Sequence, residues 1–146
     1  MPQPFCFRFR VRYNECDAQQ VVFNARYGEY VDLAIKEFMR ALRCEYSHLQ
    51  ARGLDYQAVK LTTEWQSSAR FDDVLDVFVS IKQLGNTSFT IAAEIRHADD
   101  GYAIADSQAV YVMMTKEPFE KTPVPDDLRD LFQAGAAGVV IDQSGR

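Results

Sequence analysis

From Phe5 to Tyr13 the apolar residues Phe5, Phe7, Phe9, Val11 and Tyr13 alternate with Cys6, Arg8, Arg10 and Arg12. A period of two marks a strand with one buried face. From Asn24 to about Leu42 the period lengthens, and Tyr27, Tyr30, Val31, Ala34, Ile35, Phe38, Ala41 and Leu42 fall at i, i+3, i+4 and i+7 positions. That spacing predicts a long helix with one broad apolar stripe, its other side occupied by Asp32, Lys36, Glu37 and Arg40. Gly28 sits inside the helical pattern at a cost of about 1 kcal/mol relative to alanine. Close approach to another backbone and a cap role are the two readings of it.

Residues 44–56 form a mixed, partly helical connection ending near Gly53, and four strand-like runs follow. Val59, Leu61, Thr63 and Trp65 alternate with polar neighbours; so do Leu75, Val77, Val79 and Ile81, and then Phe89, Ile91, Ala93 and Ile95. Turns are predicted at Gly85-Asn86 and at Asp99-Asp100-Gly101, before the longest run, Tyr102 to Thr115. Pro118, Pro123 and Pro125 end the sheet. Asp126 to Gln133 reads as a short helix capped by Asp126, and residues 135–146 as a loose, Gly/Ala-rich tail. The order strand, long helix, four antiparallel strands predicts one α+β domain over residues 1–134, with the helix packed across a curved sheet of about five strands.

Composition narrows the partners. The 146 residues are 47% hydrophobic with ten Phe and seven Tyr, enough for an adequate core. A net charge of −5 with no basic tract argues against nucleic acid. Cys6, Cys16 and Cys44 fit neither a disulfide framework nor a close Cys/His metal spacing, so no metal is expected and a reducing cytoplasm is the expected location. No basic n-region precedes the first strand and no apolar run approaches the ~18 residues of a membrane span.

The chemistry points to the corner between first strand and helix. Asp17 lies just before a helix N-terminus, where unpaired backbone N–H groups and the macrodipole attract developing negative charge. Such a corner suits an oxyanion; the plainer reading of Asp17 is a turn or N-cap residue. Glu15 and Asp17, two apart, would share a face of an extended strand as a carboxylate pair, without a nearby His or third acid to suggest a metal. Cys16 is a second possible nucleophile, but neither His48 nor His97 is placed by sequence to activate it. The row Arg8, Arg10, Arg12 reads either as a phosphate-holding face or as a solvated, salt-bridged one.

The motif Tyr13-x-x-x-Asp17-x-x-x-x-Val22-Phe23-x-x-x-Tyr27, followed at once by the helix, resembles the hot-dog-fold thioesterases of the 4-hydroxybenzoyl-CoA thioesterase type. Ala69-Arg70-Phe71-Asp72-Asp73-x-Leu75-x-Val77 and Thr87-Ser88-Phe89 are similar to later segments of that family. The resemblance covers roughly residues 5 to 117. It implies a hot-dog fold and a homodimeric or homotetrameric hydrolase of acyl-CoA thioesters that needs no cofactor. Asp17 would be the catalytic nucleophile or base, and the Asn24 N–H would bind the thioester oxygen. Gln20, Phe23, Tyr27, Arg70 and Ser88 would contact substrate. Where the family has Gly this chain has Gln20, expected to narrow the acyl entrance or alter the turn and to act in acyl selectivity; its frequent His is Asn24 here. The rival class is a non-catalytic acyl-binding or interaction protein on the same fold.

Overall fold

The structure, a computed structural model, describes residues 3–146. Strand β1 (Phe5–Arg10) leads through two short 3-10 turns, Tyr13–Glu15 and Asn24–Arg26, into helix α1 (Tyr27–Ala41). A short helix α2 (Tyr46–Ala51) follows, then β2 (Leu54–Trp65), β3 (Val74–Leu84), β4 (Ser88–His97) and β5 (Ala103–Thr115). Helix α3 (Asp126–Ala134) and strand β6 (Val140–Asp142) close the chain. The strands form one sheet in the order β2-β5-β4-β3-β1-β6. Its first five are antiparallel, and β6 runs parallel to β1.

The helical stripe of α1 is buried as its spacing predicts: Tyr27, Tyr30, Val31, Ala34, Ile35, Phe38 and Met39 are all within the core. Ala34 and Ile35, fully buried at mid-helix, pack the axis against Phe5, Phe7, Leu75, Val77 and Ile91 of the sheet. The ring of Phe5 meets that of Phe38 edge-on at 5.5 Å, and Phe9 lies 4.5 Å from Tyr30. At about 25 cal/mol per Å² of apolar area, this interface is the main stabilising term of the fold. Gly28 makes no close backbone contact; a Cβ there would meet only the Leu61 side chain at 3.7 Å, an ordinary van der Waals separation.

Four features differ from expectation. The first strand ends at Arg10, so Tyr13 leaves the buried face and is 79% exposed. Strand β2 is an edge strand, and the apolar set of its alternation, Val59, Leu61 and Trp65, is uncovered. The N-cap of α3 is Pro125, with Asp126 inside the first turn and no side-chain cap bond.

The fourth is the C-terminal segment, which is tied down rather than loose, making a six-stranded sheet. Val140–Asp142 pair with Cys6–Arg8, the Arg10 guanidinium donates to the Ser144 carbonyl at 3.0 Å, and Arg146 pairs with Asp99 at 2.6 Å. Arg8 holds this edge. Its guanidinium makes two bonds to the largely buried Asp76 carboxylate, 2.7 and 3.1 Å, and approaches Asp142 at 3.9 Å. Most of the arginine row is therefore salt-bridged, with Arg10 also bonded to Asp72. Among the described residues no helix is long and apolar enough to cross a membrane.

The Arg8–Asp76 pair is shielded enough to matter. Asp76→Ala should lower the unfolding free energy by about 2 kcal/mol, because Arg8 then loses both its short bonds and keeps only the long contact to Asp142, whereas Lys36→Ala, breaking an exposed helical pair, should cost under about 0.5 kcal/mol. Urea titrations of both variants check the ordering.

Candidate active site

Beyond β1 the chain is held in place by the end of the β2–β3 connection: Val11 N–H donates to the Asp73 carbonyl at 2.9 Å, and Asp72 N–H to the Val11 carbonyl at 3.1 Å. After the Tyr13–Glu15 turn the backbone doubles back. Asp17 N–H donates to the Val21 carbonyl (3.0 Å), Gln20 N–H to the Asp17 carbonyl (2.9 Å), and Cys16 faces Val22 across an antiparallel bridge. Val22 N–H reaches the Ala69 carbonyl at 2.8 Å and Phe23 N–H the Glu15 carbonyl at 2.9 Å. Those two bonds bring the start of the helical segment alongside Asp17.

The two carboxylates of the corner have separate tasks. Glu15 Oε1 accepts the Arg12 N–H at 2.7 Å and the Tyr30 hydroxyl at 3.0 Å, pinning the corner to α1. Burial and that carboxylate push the Tyr30 hydroxyl far above the ordinary tyrosine range, so it stays a proton donor. Asp17 is half-buried, and its Oδ1 accepts the Gln19 N–H at 2.8 Å. Among the described residues no donor reaches Oδ2.

Asp17 stands between two clefts of about 570 Å³ each, within the usual size range of ligand pockets. The first is lined by Val21, Val22, Phe23, Asn24, Tyr27 and the segment Trp65–Ser68. Asn24 and Ala25 open the helical segment there; like all first-turn N–H groups theirs lack an intrahelical acceptor, and among the described residues no carbonyl takes them. Tyr27 gives this cleft a fixed wall: its hydroxyl oxygen accepts the Ala69 N–H at 3.2 Å, and its ring meets Trp65 edge-on at 5.8 Å. Burial raises the Tyr27 hydroxyl above its ordinary value, which keeps it protonated at neutral pH.

The second cleft is lined by Tyr13, Cys16, Asp17, Ala18, Gln20, Arg70 and Phe71. Gln20 therefore borders the opposite side of Asp17 from the aromatic cleft. Its φ of 66° is left-handed, the conformation for which glycine is the ordinary choice. Cys16 lines this cleft too, but burial first, and then the charges of Glu15 and Asp17, push its thiol upward, away from the reactive thiolate.

The corner and the β2–β3 connection thus assemble Asp17, Gln20, Phe23, Asn24, Tyr27 and Arg70. Ser88 is not among them: it opens β4 opposite Val112 and lines neither cleft. Sequence reasoning missed Trp65, Ser67 and Ser68 as cleft residues, since a tryptophan in an alternating strand reads as core. It also missed Phe71, whose signal was its place beside Arg70 in a motif that ends in two aspartates.

A long helix lying on an antiparallel sheet in this strand order is the arrangement of the hot-dog thioesterase fold. Residues 11–132 match the thioesterase-like superfamily, and the chain belongs to that family. It is a thioester hydrolase by class. The chain is 30% identical to a putative esterase of Aquifex aeolicus over 105 residues, 72% of this chain and 82% of that one. It is 26% identical to the acyl-CoA thioester hydrolase YbgC of Escherichia coli over 119 residues, 82% and 87% of the two chains. A crystal structure of a hypothetical protein from Aquifex aeolicus superposes with a TM-score of 0.82 at 26% identity, covering 88% of this chain and 99% of that one.

The left-handed turn sets an expectation for Gln20. Gln20→Gly should leave stability within about 1 kcal/mol of the parent, since relieved strain offsets the entropy glycine adds to the unfolded chain, while Gln20→Val should lose about 1–2 kcal/mol. Thermal unfolding of the pair tests this, and equal losses in both would show that the side chain, not the backbone, governs the site.

Proposed function

We propose that this thioester hydrolase acts on acyl-CoA, with Asp17 as nucleophile or general base and the Asn24 N–H as the oxyanion donor. The observation behind the reading is the free Oδ2 of Asp17 in a cleft shared with the open first turn of the helical segment. The thioester carbonyl lies with its oxygen toward Asn24, and the carbonyl carbon is attacked by Oδ2 or by a water that Oδ2 deprotonates. Either route builds negative charge on the carbonyl oxygen, and one preorganised donor there is worth about 10²–10³ in rate. Collapse expels the CoA thiolate and, after hydrolysis of any anhydride, leaves the free acid.

The aromatic wall that Phe23, Tyr27 and Trp65 give the first cleft suits the acyl group. The plan resembles that of the 4-hydroxybenzoyl-CoA thioesterase type, with Gln20 and Asn24 in place of its Gly and His. Gln20 takes a left-handed conformation that suits glycine, so the corner folds with a glutamine at this position. The free thiols Cys6, Cys16 and Cys44 suit a reducing cytoplasm.

Strand β2 supports a homo-oligomer. It is a twelve-residue edge with Val59, Leu61 and Trp65 exposed, and long exposed apolar edges are normally covered. A second copy pairing along β2 covers them and lies beside Trp65–Ser68 of the acyl cleft, placing the site at the subunit boundary.

Two measurements test this reading. Asp17→Asn should lower kcat at least ~100-fold with little loss of stability, since the amide keeps the shape and the acceptor for Gln19 N–H. Thiol release from a panel of short-chain, branched, dicarboxylic and aromatic acyl-CoAs gives the rates; a folded Asn variant at parental turnover ends the mechanism. For the assembly, light scattering should give at least twice the 16.7 kDa of one chain, and Leu61→Arg should shift the mass toward the monomer.

A further inference from the structure

Tyr13 and Phe71 are large aromatic residues left 79% and 53% exposed, yet they are not loose: their rings meet edge-on at 5.7 Å. The backbone holds them there. Asp73 Oδ2 accepts the Arg70 N–H at 2.9 Å, Asp72 is left-handed at φ 72°, and Asp72 N–H is bonded to Val11, so the turn aims Phe71 outward beside Tyr13. A core-seeking turn would have buried it.

Two cations flank the pair. Arg8, Arg10, Arg26, Arg40, Arg52, Arg96 and Arg146 all have carboxylate partners, and Arg129 donates to two backbone carbonyls. Among the described residues Arg12, Arg43 and Arg70 have neither kind of partner, and two of these three adjoin the aromatic pair. Arg70 shares the second cleft with Asp17, Tyr13 and Phe71; Arg12 lines a groove of about 580 Å³ on the far side of the same two rings. The aromatic pair is therefore a ridge between two hollows, each with one guanidinium bonded to no carboxylate; Asp17 shares the first hollow, and Glu15, Glu29 and Asp72, already bonded to Tyr30, Arg26 and Arg10, share the second.

We propose that this ridge docks the nucleotide end of the substrate's coenzyme A: the adenine stacks on Tyr13 and Phe71, and Arg70 and Arg12 take the phosphates. The inference rests on the acyl-CoA reading above. Its chemistry is complementary on each count, because aromatic faces accept a purine ring and unpaired guanidinia bind phosphate oxygens in forked geometry. Charge makes the local cations decisive. The chain as a whole is −5 and repels a polyanion, so affinity for the nucleotide has to come from a few placed arginines. The ridge also lies across Asp17 from the aromatic cleft, so one extended thioester places its acyl group in the first cleft and its nucleotide on the ridge.

The test compares an acyl-CoA from the panel with the same acyl group on pantetheine, which lacks the nucleotide. Arg12→Ala, Arg70→Ala and Phe71→Ser alter exposed side chains and should fold. Arg12→Ala, whose side chain lines neither cleft beside Asp17, should raise KM for the CoA thioester about fivefold or more while leaving kcat/KM for the pantetheine thioester within about twofold; Arg70→Ala and Phe71→Ser should raise KM for the CoA thioester by a larger factor than for the pantetheine thioester. Dephospho-CoA should inhibit the parent more weakly than CoA, with a smaller difference in Arg12→Ala or Arg70→Ala. Equal losses on both substrates would assign these residues to the shape of the corner, and a change in oligomeric mass in Phe71→Ser would assign the ridge to contact between copies; either result overturns the proposal. If the parent hydrolyses neither thioester, the hydrolase reading fails by itself, and calorimetric titration with CoA then decides the ridge separately: binding weakened by Arg12→Ala and Arg70→Ala upholds it, and no binding by the parent rejects it.

Discussion

The bond from Val22 N–H to the Ala69 carbonyl is the joint on which the site depends. It ties the doubled-back segment after Asp17 to the connection between β2 and β3, and Tyr27 repeats the tie by accepting the N–H of the same Ala69. Residue 69 is thereby satisfied at both its N–H and its C=O by the corner and the helix start. A buried backbone group left unpaired costs about as much as a lost hydrogen bond with its desolvation, so the arrangement resists opening. Asp17, Asn24 and Tyr27 keep their relative positions because an alanine far along the chain holds them.

Much of this was legible in the residues because period maps onto burial. The stripe Tyr27, Tyr30, Ala34, Ile35, Phe38 and the alternation Phe5, Phe7, Phe9, Val11 each assign one face to the core, and the structure buries those faces. The same logic misled at β2. Alternation says that a face is apolar; it does not say how much of it the chain's own helix covers, and although Gly28 and Tyr27 of α1 approach Leu61 and Trp65, the side chains of Val59, Leu61 and Trp65 stay about half exposed. Strand β6 was invisible for another reason: three residues are too few to show a period, and its partner β1 lies at the other end of the sequence.

The site divided along similar lines. Asp17, Phe23, Asn24 and Tyr27 sit within one local segment, so a motif could find them together. The separation of the surroundings of Asp17 into an aromatic cleft and an arginine-flanked one depends on contacts between the corner and the β2–β3 connection, and no local spacing encodes that. Gln20 shows the limit of reasoning from residue type. Residue type does not announce a left-handed backbone at a glutamine; only the bonds of Asp17 and Gln20 around the turn show it.

The C-terminal strand has a consequence for how copies of this chain can add to one another. A sheet with two long open edges can recruit a neighbour on each side and keep growing, which is the route to fibres. Here the β1 side ends in three residues followed at once by a turn in which Asp142 accepts both the N–H and the hydroxyl of Ser144. That border is too short and too self-satisfied to template another strand. Only β2 remains as a long edge, and an edge used once in a two-fold pairing has nothing left to offer a third chain. The last few residues, by blunting one side, leave the sheet with one long edge rather than two for another copy to add to.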